Sequence, residues 1–141
     1  MKKIDTDGLK QELMSSPDLD EFLSENEEAF CNNSASDILV RLFNEKNISK
    51  AALARKSGIS EVYLHQIFSG KRTPSRNRLL CLAFGLEAKL DDVQELLKLC
   101  GFASLYPKNR RDAIIIYGLT HNSELFEIND KLFVENEETL F

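Results

Sequence analysis

Apolar residues recur at helical spacing along this chain, and capping and turn-forming residues punctuate them, which predicts an all-α fold. Lys10–Met14 belongs to a short helix. Ser16-Pro17 signals the start of another that runs to about Phe30, with Leu19, Phe22, Leu23 and Phe30 as an apolar stripe amid carboxylates. Ser34-Ala35-Ser36-Asp37 has capping-box spacing, with Asp where Glu or Gln is usual, and opens a helix that turns Ile38, Leu39, Leu42 and Phe43 inward. Two short helices follow within Ser49–Phe68. Another begins after Thr73-Pro74, and one more runs from about Leu90 to Cys100, with Asp91, Asp92 and Glu95 early, where the helix dipole favours them.

The remainder of the chain resembles a copy of those last two helices. Pro74–Leu86 aligns with Pro107–Leu119 at an offset of 33, and Leu90–Leu97 aligns with Leu125–Leu132 at an offset of 35. Leu105-Tyr106 then corresponds to Leu140-Phe141. The repeat predicts helices over Pro107–Leu119 and Ser123–Asn136, forming a second hairpin stacked on the first. Ile114-Ile115-Ile116-Tyr117, a β-branched run that reads locally as a strand, aligns with Cys81-Leu82-Ala83-Phe84 and is expected in a buried helix. Three segments result: an acidic N-terminal helical segment at 1–33, a five-helix domain at 34–104, and the C-terminal hairpin at 105–141.

The most specific local pattern is SKAALARKSGISEVYLHQIFSGKRTPS, Ser49 to Ser75. Gly58 ends the first short helix at a sharp turn that favours positive φ, Ile59 plugs the corner, and Ala54 permits close helix approach. Ser60 is a candidate N-cap for the second helix, and Leu64 and Ile67 turn its inner face toward the first. Glu61, Val62, His65 and Gln66 are left as one outward patch near the helix start. These residues, with the Ile67-Phe68-Ser69-Gly70-Lys71 exit and the Thr73-Pro74-Ser75 start of the next helix, resemble the Cro/repressor-type (XRE-like) helix-turn-helix family over roughly Ser36 to Cys100. The resemblance implies a DNA-binding transcription regulator with a five-helix repressor-type domain, to which the residue patterns above add N-terminal helices and a C-terminal hairpin. It places base-contact positions on Glu61, Val62 and Gln66.

Charge is segmented in a way that fits this expectation. The formal net charge is −5, yet residues 31–86 carry nine Lys and Arg against Asp37, Glu45 and Glu61. Residues 1–30 carry nine carboxylates against three lysines, and residues 87–141 eleven against six basic residues. Only the stretch holding the helix-turn-helix is basic, the electrostatic footprint of a segment that approaches phosphates. With 43% hydrophobic residues in 141, the chain can bury one core, or one core and a satellite. Cys31, Cys81 and Cys100 lack ligand-like spacing and are expected to pack in a reducing cytoplasm. No apolar run approaches the roughly 18 residues that span a membrane. His65 and His121 lie at no motif spacing from a nucleophile, and no glycine-rich phosphate loop is present, so no enzyme, metal or cofactor is expected.

In the expected complex, the third helix of the domain enters the major groove of double-stranded DNA. Gln66 pairs with adenine, Glu61 accepts from cytosine N4, Val62 meets a thymine methyl, and His65 donates to a base or a phosphate. Ser49, Lys50, Ser60, Tyr63, Lys71, Arg72 and Arg76 stand at helix starts or in the exit loop, positions suited to phosphate contacts. Lys108, Arg110 and Arg111 cluster at a predicted helix N-terminus, where the dipole disfavours them. A DNA phosphate, the acidic N-terminal helix and Asp112 are the candidate counter-charges. The hairpin carries more apolar surface than one helix face needs, which fits either a homodimer interface or internal packing. The acidic N-terminal helix fits packing on the domain, cover for a protein partner's surface, or a shield over the basic face. A protein-interaction module that keeps the fold without specific DNA binding is the alternative, since fold alone does not fix function.

Overall fold

The computed structural model describes residues 6–26 and 34–141, and all regular structure among them is helical. The helices are α1 (Thr6–Ser15), α2 (Leu19–Glu25), α3 (Ala35–Glu45), α4 (Lys50–Ser57), α5 (Glu61–Phe68), α6 (Arg76–Gly85), α7 (Leu90–Leu99), α8 (Arg110–Thr120) and α9 (Leu125–Val134). None of them is long and apolar enough to cross a membrane. The chain divides into two compact units, Met1–Asn33 and Ser34–Phe141.

In the first unit the N-cap of α2 is Asp18, whose carboxylate accepts from Asp20 N at 3.0 Å. The expected start at Ser16-Pro17 therefore moves two residues on. Asp18 has the extended backbone of a cap, and the Ser16 hydroxyl instead donates to Asp18 O at 3.0 Å. Asn26 stops the helix and donates from Nδ2 to Phe22 O and Glu12 Oε1, each at 3.0 Å. Of the expected stripe, Phe22 is buried while Leu19 and Leu23 are exposed. Phe30 and Cys31 lie outside the described residues.

The second unit is organised around α6. Seven consecutive residues, Leu79 to Gly85, are buried, so this helix is covered on every side rather than along one stripe. α4, α7 and α9 pack on it, α3 packs on α5 and α7, and α8 packs on α7 and α9. The approach of α4 depends on Gly85. A Cβ there would run into Ser57 Oγ and lie 3.1 Å from Leu53 Cδ1. Gly118 plays the same part between α8 and α9, where a Cβ would overlap the Ile128 side chain.

The two C-terminal hairpins share backbone devices 35 positions apart. Glu87 and Asn122 both take positive φ (53° and 56°) after a helix, as do Gly101 and Asn136 (76° and 58°). The closing hydrogen bonds correspond, Ala88 N to Ala83 O at 2.9 Å with Ser123 N to Gly118 O at 3.0 Å, and Phe102 N to Leu97 O at 2.8 Å with Glu137 N to Leu132 O at 2.9 Å. A side-chain amide then pins the returning strand of chain in each. Gln94 exchanges hydrogen bonds with the Leu105 backbone at 2.8 and 2.9 Å, and Asn129 holds Leu140 N at 2.6 Å and Phe141 O at 3.3 Å. The offset of 33 read for the first helix of each hairpin thus differs by two positions at the helix end. α8 is one residue longer than α6, and Pro107 stands one position further from its cap than Pro74.

α8 begins at Arg110, after Asn109 as N-cap, so Lys108 lies before the helix. The counter-charges for its basic start are internal. Arg110 pairs with Glu135 and, at 3.7 Å, with Glu137. Arg111 donates to Glu138 O at 2.7 Å and Asn77 Oδ1 at 2.9 Å. Asp112, itself buried, receives Arg76 Nη2 at 3.3 Å and Tyr106 N at 3.0 Å. Burial pushes the Cys81 thiol up to about 11, against the nearby Arg78 and Arg111, so it stays protonated at neutral pH and packs as an apolar group.

Two predictions follow from this packing. Gly85→Ala is expected to lower stability by about 1–3 kcal/mol through overpacking. Ser57→Ala should be neutral or stabilising, because its buried Oγ has no hydrogen-bond partner among the described residues. Thermal unfolding of both single variants and the double variant should give a partial rescue; simple additivity would mean that the two surfaces do not meet. The second concerns Glu135, whose carboxyl is held below its ordinary value by hydrogen bonds from Lys131 and Arg110. Its contribution is full above the unfolded carboxylate value and is lost as pH falls through the lower folded value. Melting curves of wild type and Glu135→Gln should differ at neutral pH and converge in acid; a gap independent of pH would rule this out.

Candidate nucleic-acid interface

α4 and α5 are built by local signals. Ser49 caps α4 by accepting from Ala52 N, and Ser60 caps α5 by accepting from Tyr63 N, both at 3.1 Å. Between them Gly58 adopts φ 64° and ψ 29°, with Gly58 N bonded to Arg55 O at 3.2 Å and Ile59 N to Ala54 O at 3.0 Å. That left-handed residue fixes the angle between the helices. Leu53, Ala54, Leu64 and Ile67 are buried behind it.

The outward side of α5 carries Glu61, Val62 and His65 exposed, with Gln66 half-buried beside them. Val62, at 67% exposure, is an apolar side chain held in water by its place on this face. Beyond the helix the exit loop folds back. Arg72 N donates to Gln66 O at 3.2 Å, Ser69 Oγ donates to the same oxygen at 3.1 Å, and the Arg72 guanidinium lies 5.3 Å from the centre of the Tyr63 ring. Arg72 is thereby held beside α5.

The basic residues of this segment differ in how much of their charge is already met. Arg41 pairs with Glu45 and Asp92, and Lys46 and Lys56 pair with Glu87. Lys50, Arg55, Lys71 and Arg72 form no salt bridge with any described residue, so their charge is unmet around α4 and α5. The Ser49 and Ser60 oxygens accept from the helix, which leaves each hydroxyl proton able to donate to an anion. Arg76 is set apart from this group. Its side chain is half-buried, and the guanidinium donates to Ala103 O at 3.1 Å as well as to Asp112.

Two supports of the turn come from far along the chain. Arg78 Nη1 donates to Gly58 O at 3.3 Å, and the Phe141 ring and Leu125 lie against Gly58, where a Cβ would meet Phe141 Cε1 at 3.6 Å. The sequence carries no local signal for either. The first follows from α4 packing on α6, the second from the C-terminal hairpin packing on α6.

Two short helices set at a left-handed glycine, the second offering an exposed face among uncompensated cations, form a helix-turn-helix. Residues 39–83, about a third of the chain, match the model of the Helix-turn-helix family, which is of the XRE type. The family is one of DNA-binding transcription regulators and is typically without catalytic activity. No curated protein and no solved structure matches the chain at a comparable level.

The turn itself can be tested. A side chain at Gly58 has room, at ordinary contact distance from Phe141, so the penalty is set by the positive φ. Gly58→Ala should cost about 1 kcal/mol or more, and Gly58→Val more again because a β-branched residue tolerates that region least. Unchanged melting temperatures would refute the left-handed assignment.

Proposed function

We propose that this protein is a sequence-specific regulator that reads the major groove of double-stranded DNA with α5. The observation that carries the proposal is the outward patch of Glu61, Val62, His65 and Gln66 on a helix fixed by Gly58, with Lys50, Lys71 and Arg72 uncompensated on its flanks. Base edges would be read by the patch. The Gln66 amide suits adenine N6 and N7, the Glu61 carboxylate suits cytosine N4, Val62 suits a thymine methyl, and His65 donates to a base or phosphate. Ser49, Lys50, Ser60, Lys71 and Arg72 would hold phosphates, with Tyr63 stacking Arg72 into place. Arg76 takes no part in this scheme, since its guanidinium serves the α6–α8 contact.

Selection from a randomised duplex pool tests the proposal, followed by binding at two salt concentrations. A short enriched motif is expected. Gln66→Ala should cost about 1–3 kcal/mol at one base pair and relax the preference there, whereas Lys71→Ala should weaken all sequences alike and flatten the salt dependence. Equal losses on selected and random duplexes for both variants would overturn this division of roles. No enrichment by folded protein at low salt would overturn DNA reading itself and favour the protein-interaction alternative.

A further inference from the structure

α9 buries Leu125, Ile128 and Leu132 toward α6 and α8 and turns a second apolar set outward. Phe133 is 74% exposed, Val134 70% and Phe126 49%, although side chains of this kind are seldom left together in water. Phe126 and Phe133 stand two turns apart on one face, about 10 Å along the axis. The Phe141 ring meets Phe126 edge-on at 5.6 Å and extends the patch toward the helix-turn-helix turn. This face is not needed to complete the core.

Charge decides what can cover it. Residues 124–141 carry six carboxylates against Lys131. Glu135 and Glu137 are neutralised by Arg110 and Lys131, while Glu127, Asp130 and Glu138 are exposed and form no salt bridge with any described residue. Asp130 lies between Phe126 and Phe133 on the same face. Duplex DNA and anionic lipid would be repelled, and a second copy docked by two-fold symmetry would set the same carboxylates against each other. The complementary surface is apolar with a positive rim. We propose that the outward face of α9, together with the Phe141 ring, is a docking surface for a basic amphipathic helix of another protein, with apolar anchors seated over Phe126, Phe133 and Val134.

The test uses the full chain and a labelled synthetic peptide of leucines and lysines at helical spacing, about four turns long, with a counterpart in which glutamates replace the lysines. Fluorescence anisotropy should show binding of the lysine peptide, at least tenfold weaker binding of the glutamate peptide, and salt-sensitive affinity. Phe133→Ala and Asp130→Lys should each weaken the lysine peptide roughly tenfold. Both side chains are exposed, so neither variant should shift the melting temperature. Equal binding of both peptides, or binding that both variants leave unchanged, as attraction to the acidic residues 1–30 alone would give, overturns the proposal. So does sedimentation that shows a dimer of the wild-type chain dissociated by Phe133→Ala, which would make a second copy the occupant.

Discussion

A helix that is apolar around its whole circumference must be covered around its whole circumference, and α6 imposes that constraint on this protein. Leu79, Leu80, Cys81, Leu82, Ala83 and Phe84 leave no face that water can occupy without loss. One partner cannot cover it. α4 closes one side at Gly85, α7 another, and α9 a third. The helix-turn-helix and the C-terminal hairpin are therefore not independent attachments to a shared scaffold. Both are walls of the same core.

That shared core bears on α5. α5 itself buries only Leu64 and Ile67 fully, a narrow seam for a helix of two turns. Its orientation is set by the left-handed Gly58, and Gly58 is in turn gripped by Arg78 from α6 and backed by Leu125 and Phe141 from the hairpin. A side-chain constellation on so short a helix needs a rigid mount. Here the mount is assembled from residues more than sixty positions downstream of the turn as well as from the local caps.

Charge is divided along the same lines. The hairpin meets its own arginines internally, Arg110 with Glu135 and Glu137 and Arg111 with backbone carbonyls, and its Asp112 takes in Arg76 from α6. Around α4 and α5, by contrast, Lys50, Lys71 and Arg72 are left without a described carboxylate. The same chain thus presents a basic surface around α4 and α5 and an acidic, apolar surface on α9. The net charge of −5 conceals both.

By itself the sequence determined the helix-turn-helix, because its signals are local. Serine caps at 49, 60 and 75, glycine at 58, and apolar spacing over a turn or two act within a few residues of where they stand. It also determined the likeness of the two C-terminal hairpins, although the register between them drifted where α8 is one residue longer than α6. Only the tertiary structure decided where the arginines point. Arg76 sits in sequence beside Thr73-Pro74-Ser75, as a phosphate clamp would, yet its guanidinium turns to a carboxylate on α8. Arg110 and Arg111, at a helix start that invites an external anion, find acceptors within the fold. A long, flexible cation takes whichever acceptor the packing of distant helices brings within reach, and no spacing along the chain records that choice.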